Sequence, residues 1–178
     1  TGVELSGLIG NDLLEQFVVE LDYENQTLSL APHKNYDMPA ETMSFNYLDG
    51  QISVPLFFNF NEESMQVNGI LDSGSNHVLL NSAMLPTNQS DFLDQRVFRG
   101  VSGRSRALPS VQLDSVSLKN DDSGISVLGY IFNPAPNQNN KNIVGTPLFK
   151  DKRLIINYDM EQLAILPSVA DNSKKKTL

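Results

Sequence analysis

The sequence predicts an all-β protein, on three observations. Hydrophobic residues make up 40% of the 178-residue chain, and they fall in short alternating or β-branched runs, not in long stripes of helical period. The runs are separated by polar turn signals such as Asp49-Gly50, which supply the positive-φ residues that tight hairpins need. A pattern of apolar positions, glycine and turn near the N-terminus returns near the C-terminus.

That repeat defines the first and last elements. Laying Gly10 on Gly145, an offset of 135 residues, puts Ile9 on Val144, Leu13 on Leu148, Leu14 on Phe149, Val19 on Leu154 and Leu21 on Ile156. Tyr23 falls on Tyr158, Leu28 on Leu163 and Leu30 on Ile165 without a gap. Each copy reads as an apolar pair, a glycine, a short helix, a strand, a three-residue turn and a second strand. Thr146 and Pro147 suit the N-cap and first turn of the second copy's helix, and Asn11 and Asp12 those of the first. Between the copies, residues 42–47 and 52–60 flank Asp49-Gly50 as a hairpin, and Asn61-Glu62-Glu63 makes the next turn. Further strands are expected over residues 65–71, 77–80, 111–118 and 125–132. Residues 133–142 hold two prolines and five asparagines, a composition for a mobile surface loop and not for a strand or helix interior. Residues from about 171, including Lys174-Lys175-Lys176, read as a solvated tail.

Composition excludes several classes of function. Thirteen Lys and Arg against 21 Asp and Glu give a net charge of −8, which leaves no electrostatic footprint for nucleic acid or an anionic membrane surface. The chain has no cysteine, so disulfides, thiol nucleophiles and thiolate metal sites are absent. His33 and His77 alone do not make a histidine-rich zinc site, and neither a metal nor a cofactor is expected. No apolar run approaches the roughly 18 residues of a spanning helix. Thr1 opens no signal peptide, and any export signal is expected upstream of it. No nucleophile elbow, phosphate-cradling loop or dinucleotide fingerprint occurs. Asn25-Gln26-Thr27 and Asn88-Gln89-Ser90 match the glycosylation sequon by pattern only.

One segment carries chemistry. Gly69-Ile70-Leu71-Asp72-Ser73-Gly74-Ser75-Asn76, followed by Val78-Leu79-Leu80, sets an aspartate at the end of an apolar strand, in a tight turn, before another apolar strand. Asp122-Ser123-Gly124 has the same three letters but follows Lys119-Asn120-Asp121, so it reads as an exposed hairpin tip with no chemistry. The Asp72 segment resembles the signature of aspartic proteases of the pepsin and retropepsin type: two apolar residues, Asp, Thr or Ser, Gly, then Ser, Thr or Ala. That family also has an apolar-apolar-glycine segment later in the lobe, which passes through the loop bearing the aspartate. Ile143-Val144-Gly145 matches it, and Leu8-Ile9-Gly10 matches its counterpart from a preceding lobe. The block from Gly7 to Leu30 is similar to the corresponding segment of bacterial aspartyl-protease-like proteins.

The resemblance implies a closed β-barrel lobe of the acid-protease type with short helices. It divides the chain into the end of a truncated preceding lobe (1–31), a complete lobe (35–167) and a flexible tail (168–178). It implies an aspartic-type endopeptidase in which Asp72 is one of two catalytic carboxylates. Ser73 would brace paired loops across the lobe interface, Gly74 would allow close backbone approach, and Ser75 would hydrogen-bond the carboxylate. Asn76 departs from the commonest residue after the motif. By the repeat offset the partner aspartate falls near position −63, upstream of Thr1. Two carboxylates close together share one proton, so such a pair presents a base and an acid at once. Three alternatives for the partner and the activity stay open: an N-terminal lobe on another chain of a cleaved precursor, a retropepsin-like homodimer of two Asp72 residues, or a non-catalytic module that holds extended peptides by strand addition. Since a lone hairpin is marginal in water, the strands of residues 18–30 are expected to complete a sheet with another polypeptide. His77, an odd five residues beyond Asp72, reads as structural. The resemblance implies a periplasmic or secreted protein.

Overall fold

The computed structural model describes residues 7–85, 92–99, 105–119, 121, 124–133 and 141–168. Among the described residues the one α-helix is the four-residue α1 (Asn11–Leu14). The strands are β1 (Val18–Asp22), β2 (Thr27–Ala31), β3 (Met43–Ser44), β4 (Asn46–Leu48), β5 (Gln51–Phe60), β6 (Glu63–Leu71), β7 (Val78–Asn81), β8 (Gln95–Arg99), β9 (Ser105–Ser117), β10 (Ile125–Phe132), β11 (Asn142–Val144), β12 (Lys152–Asn157) and β13 (Gln162–Pro167). The protein is all-β, with 3-10 turns at Ser82–Met84 and Thr146–Leu148. Its contacts form two units, residues 52–148 and residues 7–51 with 149–168.

In the second of these units the repeat becomes a local two-fold. A five-stranded sheet runs in the order β2-β1-β12-β13-β3. β1 and β12 pair antiparallel with Glu20 opposite Ile155, the two residues that the repeat superposes. Each copy's turn is built alike: Asp22 Oδ1 accepts the Asn25 N–H at 3.0 Å, and Asn157 Oδ1 accepts the Met160 N–H at 3.2 Å. Gln26 and Glu161, again equivalent, both have positive φ, at 56° and 49°. Val18, Ile155 and Ala164 form a small core on one sheet face, with Ala31, Tyr36, Met38 and Leu166 packed against it. The expectation that residues 18–30 need another polypeptide to complete a sheet is therefore corrected. β1 pairs along its whole length with the chain's own β12, because strands related by an antiparallel two-fold supply each other's missing edge.

Residues 52–148 make a closed ladder. Neighbouring strands follow β5-β6-β11-β7-β10-β9-β8, and β5 also pairs with β9. The strands β5-β6-β11-β7-β10-β9 thus return on themselves, which leaves no free edge in the ring. β5 shows the required alternation: Ile52, Val54, Leu56, Phe58 and Phe60 are buried while the residues between them are not. The other core side chains include Val78, Leu80, Val111, Leu113, Ile131 and Val144. The hairpin turns lie where the sequence places them. Asp49 and Gly50 have φ of 53° and 71°, and Asn61 and Glu62 of 49° and 66°, the paired left-handed residues of tight turns that match strand twist.

Other expectations change in detail. The single strand expected over residues 42–47 is two short ones, β3 and β4, because the Phe45 N–H turns to the Glu161 carbonyl at 3.0 Å and its ring packs edge-on to Tyr158. The N-cap of α1 is Gly10, without a side-chain cap bond. Asn11 instead donates to the Gly50 carbonyl at 2.7 Å and accepts from the Tyr158 hydroxyl at 3.2 Å. β8 has no counterpart among the expected strands. Residues 88–90, 122–123, most of 133–142 and the tail from 169 lie outside the described residues.

Candidate active site

The Asp72 loop is held by backbone. β6 ends in buried Ile70 and Leu71, and the chain then turns through residues 72–76 into β7. β11 lies between these two strands, parallel to β6 with Ile143 opposite Ile70 and antiparallel to β7 with Ile143 opposite Leu79. The Asp72 N–H donates to the Val144 carbonyl at 3.0 Å, and the Thr146 N–H donates to the Ser75 carbonyl at 2.7 Å. Gly145 sits between those two bonds. A Cβ there would lie 2.3 Å from the His77 carbonyl oxygen, 2.4 Å from that of Ser75 and 2.9 Å from the His77 nitrogen, so only glycine fits without moving the loop. Gly69 admits β11 in the same way, since a Cβ on it would meet the Val144 side chain at 2.6 Å.

Within the loop Asp72 is exposed. Its Oδ1 accepts the Gly74 N–H at 3.0 Å, and its carbonyl accepts the Ser75 N–H at 3.1 Å. The backbone thus aims the carboxylate outward, away from the core that the approach strand enters. Ser73 and Gly74 are exposed as well, and Ser75 is half-buried. Ser75 does not take the partner expected for it: its hydroxyl donates to the His77 carbonyl at 3.2 Å and accepts the His77 N–H at 3.3 Å. The hydroxyl therefore stiffens the loop and leaves the carboxylate to the Gly74 amide.

His77 stands edge-on to Phe98 and Tyr130, at ring separations of 4.5 and 5.2 Å. Burial first, and then Arg96, hold its pKa below the usual histidine value, which favours its neutral form in the aromatic cluster. Three supporting residues escaped sequence reasoning. The Thr146 hydroxyl donates to Asn76 Oδ1 at 3.2 Å, which ties the residue after the glycine segment to the residue after the aspartate motif. Asn142 is buried and bridges the strands beside it, accepting the Asn81 N–H at 2.9 Å and donating to the Asn68 carbonyl at 2.7 Å. Only adjacency to the two motifs could have pointed to Asn76 and Thr146. For Asn142 no sequence signal exists, because an asparagine in a polar run looks like loop. Among the described residues no group of three or more His, Cys, Asp or Glu could hold a metal ion.

No protein-family model matches the chain, and no curated protein matches it. Among solved structures, a retropepsin-like aspartic protease from Rickettsia conorii aligns with a TM-score of 0.44 at 13% identity, over 74% of this chain and 98% of that one. The likeness is distant.

Proposed function

We propose that this chain is part of an aspartic endopeptidase and supplies one of its two carboxylates, Asp72. The observation that carries the reading is the exposed Asp72 carboxylate on a loop fixed from behind by the Ile143-Val144-Gly145 strand. A backbone-held aspartate with its own core buried beneath it is pre-set to face a second carboxylate without paying side-chain ordering at the moment of reaction. In the pair, the ionised member takes a proton from a bound water as that water attacks the scissile carbonyl carbon, and the protonated member donates to the carbonyl oxygen. The resulting gem-diol then collapses with cleavage of the C–N bond, as the newly protonated carboxyl gives its proton to the leaving amine nitrogen and the other carboxylate takes one back from a diol hydroxyl. The aspartic-protease dyad is the type case of such coupled titration. No covalent acyl intermediate forms. Ser73 and Gly74 lie on the face that the second loop would meet, and Ser75, Ile143, Val144 and Gly145 support the loop from within. The second carboxylate comes from another lobe or another copy. Export to the periplasm or cell exterior belongs to the same proposal.

The test is peptide hydrolysis by the assembled protein at acid pH, with Asp72→Asn beside the parent. The variant is expected to lose hydrolysis entirely while its unfolding free energy stays within the roughly 0.5 kcal/mol typical of exposed substitutions. Full activity in Asp72→Asn would sink the assignment, and peptide binding without hydrolysis in the parent would favour the binding module.

A further inference from the structure

The outer face of the ring of residues 52–148 carries a cavity that the candidate active site does not use. Along β5, Phe58 points into the core at 2% exposure, so Phe57 and Asn59 on either side of it face outward. Residues directly opposite on neighbouring strands share a face. Gln66 of β6 and Ser117 of β9 stand opposite Phe57, and Ser64 and Ser115 stand opposite Asn59. These two rungs of three residues line a cavity of about 390 Å³. Phe57 is half-buried, while Asn59, Ser64 and Gln66 are exposed. The Ser64 hydroxyl donates to Asn59 Oδ1 at 2.9 Å, which leaves the Asn59 amide hydrogens for another acceptor. No hydrogen bond within the described residues holds the Gln66 amide or the Ser115 hydroxyl. Gly124 keeps room for that hydroxyl, since a Cβ there would lie 2.0 Å from Ser115 Oγ.

We propose that this cavity binds one neutral hexopyranose unit, with a face of the sugar ring against Phe57 and the sugar hydroxyls on Asn59, Gln66 and Ser115. The volume falls at the small end of ligand sites, which run from about 300 to 1,000 Å³, and so suits a single ring. An aromatic ring attracts the polarised C–H groups of a pyranose face through its quadrupole. Asn, Gln and Ser each donate and accept, and a sugar hydroxyl asks both of its neighbours. The backbone excludes an extended peptide: residues 57–59 pair with β6 on one side and β9 on the other, so no strand edge is open to extend. Charge disfavours a phosphorylated ligand. The lining holds no arginine, its Lys119 is matched by Asp121, and the chain carries a net charge of −8, which repels anions. The inference does not rest on the two-carboxylate reading, because Asp72 is not among the lining residues. It adds a carbohydrate-binding activity to whatever chemistry Asp72 performs.

The experiment titrates the full, isotope-labelled chain with glucose, galactose, mannose and N-acetylglucosamine, each to tens of millimolar, and follows the backbone amides by NMR. Adenosine, a flat uncharged heterocycle on a sugar, is the competing probe. The expected result is that at least one hexose shifts the amides of residues 57–66 and 115–119, with a dissociation constant of about 1–10 mM, as befits a small ligand held by a few contacts. Gln66→Ala, at an exposed position, is expected to weaken that binding about fivefold, the worth of one neutral hydrogen bond. Phe57→Ala is expected to weaken it more; if that variant fails to fold, Gln66→Ala carries the test. A disaccharide of the bound sugar separates the sources: binding at least as tight as the single unit assigns the end of a glycan, and loss of binding assigns the free sugar. Either keeps the site. No shift with any hexose, shifts confined to other residues, equal affinity in Gln66→Ala and the parent, or shifts with adenosine and no hexose would each overturn the proposal.

Discussion

Gly145→Ala tests the joint on which the candidate site depends. The added methyl would stand 2.3 and 2.4 Å from two backbone carbonyl oxygens and 2.9 Å from a backbone nitrogen. No side chain can swing away to relieve it, so either β11 or the loop of residues 72–77 must shift. Overpacking of this kind costs about 1–3 kcal/mol. The shift also stretches the 2.7 Å bond from the Thr146 amide to the Ser75 carbonyl, and weakening this half-buried backbone bond adds about 1 kcal/mol. We expect a total loss of about 3 kcal/mol, toward the high end of the range for single substitutions. Urea unfolding followed by circular dichroism reads it: with an m-value of about 2 kcal/mol/M the midpoint falls by roughly 1.5 M. Gly10→Ala is the internal control. Its methyl meets only the movable end of Asp12, and replacing glycine by alanine at an N-cap is worth under about 1 kcal/mol. Equal midpoints for Gly145→Ala and the parent, or an equal loss in both variants, would refute the reasoning, since the contacts differ while the sequence positions are equivalent.

The remaining predictions use the same two-fold and the titrating groups. Leu163→Ala is expected to cost about 2–5 kcal/mol as a large-to-small core change, and its exposed equivalent Leu28→Ala under about 1 kcal/mol; similar values by chemical denaturation would show that the exposure difference is illusory. Asp22 is held at about 2 by the Ser168 hydroxyl, then by the Asn25 amide, against the opposing effect of burial. Because its folded pKa lies below the unfolded one, its contribution is present above about pH 4 and is lost as pH falls toward 2. Asp22→Asn should flatten the acid limb of a stability-against-pH curve in that window, and an unchanged limb counts against the assignment. Tyr47 is raised to about 12 by burial and then by its hydrogen bond to Glu15, so the neutral phenol is the stabilising form and its contribution fades as pH rises from 10 toward 12. Absorbance titration of the phenolates should lose a late-ionising component in Tyr47→Phe, while Tyr158, raised further by its burial, still ionises last; an unaltered curve would contradict the contact.

Local spacing in the sequence determined the all-β class, the hairpin turns at Asp49-Gly50 and Asn61-Glu62, the repeat that superposes Gly10 on Gly145, and the Asp72 turn between two apolar strands. These are legible because alternation, positive-φ residues and turn length act over a few residues, and each is written in the residues that obey it. β8 is not legible for the same reason: Gln95-Arg96-Val97-Phe98-Arg99 has no apolar face to announce it, and only its pairing with Ser105 through Pro109 makes it a strand. Ser75 was given the right place and the wrong partner, since the direction of a hydroxyl depends on which backbone groups fold back beside it. Which strand pairs with which was decided in three dimensions. The closure of β5 on β9, the passage of β11 between β6 and β7, and the pairing of Glu20 with Ile155 join residues far apart in the chain. Their registers are fixed by the burial of whole faces and not by any residue's own preference.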